Sequence, residues 1–142
     1  MSHNRAPKPG SKWYLPFDTY KYVVNFCYAY GDMKQKYGDL DGQHAHQQDG
    51  MPRGTETSDP TSSEGMRRAN LGQKISTIEK AVDTVVPESV YGKEMRLQLF
   101  LGVTKRGITY TYLSKKLGMA CTKNEYSELR RQVYWIIAER IM

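Results

Sequence analysis

Only two cysteines, Cys27 and Cys121, occur in the 142 residues, and no Cys-x-x-Cys pair exists. Thiols so far apart frame neither a disulfide scaffold nor a cysteine-based zinc site, and are expected to stay reduced inside a cell. No apolar run approaches the roughly 18–20 residues that cross a bilayer, so no membrane partner is expected. The opening segment MSHNRAPKPGSK carries charge with no apolar stretch behind it, so no secretory signal is expected and the location read is cytoplasmic. Also missing are a Walker motif, GxGxxG, HExxH and a credible nucleophile–base pair. Neither an enzymatic activity nor a cofactor is therefore expected. β alternation and internal repeats are absent as well, which leaves an all-α protein.

Charge is the first positive signal. Residues 1–60 hold seven basic and seven acidic side chains, whereas residues 61–142 hold fourteen and eight, so the whole +6 excess lies in the second part. A basic region of that kind suits a polyanionic partner, and it is also common on ordinary solvated surfaces.

Four parts follow from composition. Residues 1–12 are polar, with two prolines and a glycine, and read as a disordered tail. Residues 13–38 read as an N-terminal aromatic helix: Asp18 is a plausible N-cap, and Tyr20, Val23, Val24, Cys27 and Tyr30 form one apolar face, extended by Met33 and Tyr37. Residues 39–63 are rich in Gly, Asp, Gln, Ser, Thr and Pro, and read as a flexible linker. Its His44 and His46 lack the further ligands a metal needs, and Asp39, Asp41 and Asp49 read as solubilising charges. Residues 64–142 read as a helical domain. Thr61 to Glu64 has capping-box spacing, and Leu71, Ile75, Ile78, Val82 and Val85 follow as an amphipathic stripe that Pro87 ends. Such a stripe suits an intramolecular core or a dimer seam. A further helix over 89–103 is expected to bury Leu97, Phe100 and Leu101.

The stretch from Gly107 to Arg131 carries the functional reading. Ile108, Tyr112, Leu113 and Leu117 fall at helical spacing, Thr109 can cap the short helix, and Gly118 supplies a stop. Thr122 and Glu125 then form a capping box that opens the last helix. Between Lys105 and Arg131 stand seven basic residues against Glu125 and Glu128. A basic helical corner suits docking on double-stranded DNA, with the second helix in the major groove. Tyr126, Leu129, Val133, Ile136 and Ile137 share one face of the last helix, and Lys123, Asn124, Ser127, Glu128 and Arg131 are left to face bases. Lys105, Arg106, Thr109, Lys115, Lys116 and Thr122 are placed to hold phosphates. Trp135 shares the side of Asn124 and Arg131, and is expected to pack against the N-terminal helix.

These residues also carry a resemblance. Ile108 to Met119, with Ser114 four before Gly118, resembles the first helix and turn of region 4 of bacterial sigma factors. Tyr126 to Ile137, with its arginine pair followed by aromatic and aliphatic residues, looks like the tail of phage late-gene regulators of the ArpU and RinA type. Asp49 to Gly54 and Ser58 to Thr61 are similar to a linker in prophage proteins of that architecture. The resemblance covers most of residues 49–142. It implies a phage or prophage transcriptional regulator that binds DNA and contacts host RNA polymerase. One departure stands out: Asn124 and Ser127 occupy positions where the standard motif is apolar. Tyr126 and Leu129 serve instead, so the turn reads about two residues longer than usual. Two other tasks fit the same sequence, a small terminase-like packaging subunit and a helical protein–protein adaptor. A homo-oligomer is compatible with each.

Overall fold

The computed structural model describes residues 9–10, 12–47 and 58–142, and their side chains except at 41–47 and 58–64. Every element among them is helical: α1 (Phe17–Tyr28), α2 (Tyr30–Gln47), α3 (Ser58–Val85), α4 (Glu88–Tyr91), α5 (Lys93–Thr104), α6 (Tyr110–Leu117) and α7 (Lys123–Ile141). The chain is an all-α bundle. No helix among the described residues is long and apolar enough to cross a membrane.

The expected aromatic helix is two helices. A turn at Ala29 separates α1 from α2, because the two answer to different partners. α1 buries Tyr20, Val23, Val24 and Cys27 against α5 and α7, as its apolar periodicity predicts. Its start is Phe17, and the capping position falls to Pro16, so Asp18 lies in the first turn and caps nothing. α2 packs instead on α3 in an antiparallel pair. The Tyr30 hydroxyl donates to Glu79, and Lys34 comes within 4.0 Å of the same carboxylate. Further along, the Tyr37 ring lies over Gly72 and receives the Arg68 guanidinium at 4.2 Å from its centre.

That pairing corrects the linker. Residues 39–47 continue α2 and residues 58–63 begin α3, although their composition is polar. A helix already nucleated and pinned by Tyr30, Met33 and Tyr37 extends at little cost per residue, so an apolar stripe is not required at every turn. The Thr61–Glu64 capping box therefore falls inside α3 rather than at its start. Residues 1–8, 11 and 48–57 lie outside the described residues, as does part of the expected tail and the middle of the expected linker.

Ile75, Ile78, Val82 and Val85 of α3 are buried within the chain, with Leu71 half-buried. The expected single helix over 89–103 is split at Gly92, whose φ of 93° breaks the helical path between α4 and α5. The break also changes which residues are covered: Met95, Leu99 and Val103 are buried, while Leu97 is 55% exposed and Phe100 and Leu101 are only partly covered.

Candidate nucleic-acid interface

The corner formed by α6 and α7 is built from local signals and locked by α5. Thr109 caps α6 by accepting from the Tyr112 amide at 3.0 Å. At the far end Gly118 takes the left-handed conformation, and the Met119 amide reaches back to the Leu113 carbonyl. The Gln98 side chain of α5 donates to the Leu117 carbonyl at 2.8 Å, satisfying another group that the helix end leaves open. Residues 118–122 form the turn. Its last residue, Thr122, accepts from the Glu125 amide at 3.2 Å, while the Thr122 amide donates to the Glu125 carboxylate at 2.9 Å. The capping box read from the sequence is present in both directions.

Tyr110 holds the two helices at a fixed relation. Its hydroxyl donates to the Cys121 carbonyl at 2.6 Å, and its ring meets that of Tyr126 at 5.7 Å. Tyr126 and Leu113 both press on Gly102 of α5, where an added Cβ would run into the Tyr126 hydroxyl and force a shift. Leu113, Met119 and Tyr126 are buried, so the corner is a packed part of the core and not an appended arm.

The side of α7 turned inward carries an unexpected residue. Arg130 is buried, and its guanidinium lies 5.3 Å from the Tyr126 ring and 6.0 Å from the Tyr134 ring. Tyr20 of α1 meets Tyr134 edge-on at 5.6 Å, which closes an aromatic surround and docks α1 on α7. Burial raises the hydroxyl pKa values of Tyr20, Tyr126 and Tyr134, and the nearby guanidinium opposes that rise. A periodicity search misses Arg130 because charge marks a surface. The signal that could have found it is spacing: Tyr126, Arg130 and Tyr134 recur every four residues and share one side of the helix.

The opposite side of α7 is where base contacts were expected. Lys123 and Asn124 are exposed, while Ser127 and Arg131 are half-buried, Arg131 lying close enough to Tyr20 to influence it. Glu128 is exposed but already engaged, its carboxylate accepting from the Trp13 indole at 3.1 Å. Trp135 meets the N-terminal aromatic segment as expected, though at its start: its indole and that of Trp13, ahead of α1, lie edge-on at 5.4 Å. Asn124, Glu125, Glu128, Leu129 and Gln132 line a groove of about 560 Å³ whose far wall is Val90 and Tyr91 of α4.

The expected phosphate contacts lie between the end of α5 and the start of α7. Lys105, Arg106, Lys115 and Lys116 are exposed, with Arg106 lying 4.5 Å from the Tyr28 ring centre. Thr109 and Thr122 spend an oxygen lone pair on capping and keep a hydroxyl hydrogen to donate. No group of His, Cys, Asp and Glu among the described residues could hold a metal ion, and the side chains of His44 and His46 lie outside them. Comparison with family models, curated proteins and solved structures gives no match for this chain.

Proposed function

We propose that this protein binds double-stranded DNA through the α6–turn–α7 corner, without catalysis, as a regulator of phage or prophage transcription. The observation that carries the DNA reading is the open start of α7. Lys123 and Asn124 are exposed at a capped helix N-terminus, whose free amides and dipole favour a phosphate. Ser127 and Arg131 continue the same strip, so an amide, a hydroxyl and a guanidinium are offered to base edges. Lys115 and Lys116 at the end of α6, with Lys105 and Arg106 before it, supply cations for the backbone on either side. Glu128, held by Trp13, has an intramolecular task instead. The assignment to phage gene regulation, and to contact with RNA polymerase, rests on the sequence resemblance.

The adaptor alternative draws on the stripe from Leu71 to Val85, of which Ile75, Ile78, Val82 and Val85 are buried inside the chain and Leu71 is half-buried. The packaging-subunit alternative keeps the same DNA surface and differs in requiring rings, which light scattering distinguishes. A salt-titrated gel shift with duplex DNA tests the binding. Neutralising about five phosphates should give a log–log slope of affinity on salt near −4 to −5. A flat response would remove the proposal.

A further inference from the structure

The groove between α4 and α7 continues past Tyr91. A second hollow, of about 350 Å³, opens against it, and Tyr91, Met95 and Ala120 line both. Val90 of α4 and Leu129 of α7 add apolar surface to the larger hollow. α4 buries none of its four residues: Val90 is 73% exposed and Tyr91 46% exposed. Apolar side chains left in water beside a groove, within a polar rim, mark a surface that another molecule covers.

The rim sets the sign of that molecule. Glu94, Glu125 and Glu128 line the two hollows against Lys93 alone, on a chain whose net charge is +6. Glu125 accepts from the Thr122 amide and Glu128 from the Trp13 indole, each through one carboxylate oxygen, so each keeps a second oxygen to offer. A second copy of the chain suits the groove poorly. In a twofold pair the same surface faces itself, which would set carboxylate against carboxylate. We propose that the groove docks an amphipathic helix of a partner protein, with apolar anchors for the two hollows and lysine or arginine at their edges. Asn124 and Glu128 stand at its border, so a protein surface adjoins the side of α7 assigned to DNA.

Cys121 also lines the groove and Cys27 is fully buried, so one thiol reports occupancy and the other reports folding. The full chain is alkylated with iodoacetamide beside a synthetic amphipathic helix of leucine and lysine, and mass spectrometry follows each cysteine. No nucleic acid is present, so the outcome is separate from the fate of the DNA proposal. Saturating peptide should slow Cys121 modification at least about fivefold. The same peptide with glutamate for lysine, or serine for leucine, should change the rate by less than about twofold. Val90→Asp and Glu94→Lys, both at exposed positions, should each raise the peptide concentration for half-protection at least about threefold. A reactive Cys27 would mark a variant that has not folded, and the other variant then decides. Failure of the leucine–lysine peptide to protect, equal protection by its glutamate counterpart, or protection untouched by both substitutions would overturn the proposal. Cys121 as inert as Cys27 before any peptide is added would overturn it too, the groove being filled by a second copy or by the chain itself.

Discussion

The Tyr126 hydroxyl occupies the space that a side chain on Gly102 would need. Two helices, α5 and α7, thus approach each other at a point where an added Cβ would force the Tyr126 ring to move. Gly102→Ala should lower stability by about 1–3 kcal/mol through overpacking. Tyr126→Phe removes the obstructing oxygen, so the double variant should recover part of the loss even though the ring carbon stays close. Chemical denaturation of the four proteins checks this. Strictly additive effects would mean the two residues do not meet as described.

Alkali should destabilise the bundle earlier than ordinary tyrosines would suggest. Tyr20, Tyr126 and Tyr134 have raised pKa values because they are buried. Above a pH of about 10, the unfolded chain has released protons that the folded chain still holds. Stability is therefore unaffected below that pH and falls as pH rises through the folded values. Urea unfolding between pH 8 and 11, with tyrosinate absorbance near 295 nm followed in parallel, should show the loss accompanying ionisation. A stability that held constant up to pH 11 would contradict the buried cluster.

The two thiols should behave differently toward a thiol reagent. Cys27 is fully buried in α1, and burial raises its pKa well above the ordinary range. Cys121 is half-exposed in the turn before α7, and burial followed by Glu125 raises its pKa as well. Neither is an activated thiolate. Native protein should release about one equivalent slowly, from Cys121, and the second only on unfolding. Fast modification of Cys27, followed by peptide mapping, would show that α1 is not docked as described.

Sequence selectivity and general affinity should separate. Arg131→Ala and Asn124→Ala, on the open strip of α7, should each reduce discrimination between duplex sequences by about 1–3 kcal/mol. Lys115→Ala with Lys116→Ala should weaken binding to all sequences alike and make the salt slope shallower by about 2. Competition binding with a selected site and a scrambled duplex measures both. Selectivity that survived Arg131→Ala would misplace the reading side.

How much of this was legible in the sequence depends on the residue type. The caps of the corner were readable because their chemistry is local, with Thr109, Gly118, Thr122 and Glu125 doing what their positions suggest, whereas Asp18 and the Thr61–Glu64 spacing did not mark helix starts. The apolar stripes of α1 and α3 were readable by period, with Tyr20 through Cys27 and Ile75 through Val85 buried as expected. Tertiary demands were not. The break at Ala29, the outward Leu97 and the helical course of residues 39–47 follow from which partner each helix meets, and the local pattern does not encode that. Of the candidate site, the exposure of Lys105, Arg106, Lys115, Lys116 and Lys123 could be read from their charge. The Trp13–Glu128 hydrogen bond joins residues too far apart in sequence for any local pattern to connect, and Arg130 was hidden by its charge.

Backbone amide NMR of the full chain during titration with a short duplex places the contact residue by residue. Shifts should concentrate at Thr109, at residues 115–116 and at residues 122–131. Shifts gathered instead around Val90, Tyr91 and Gln132, or none at saturating DNA, would contradict entry of α7 into the duplex.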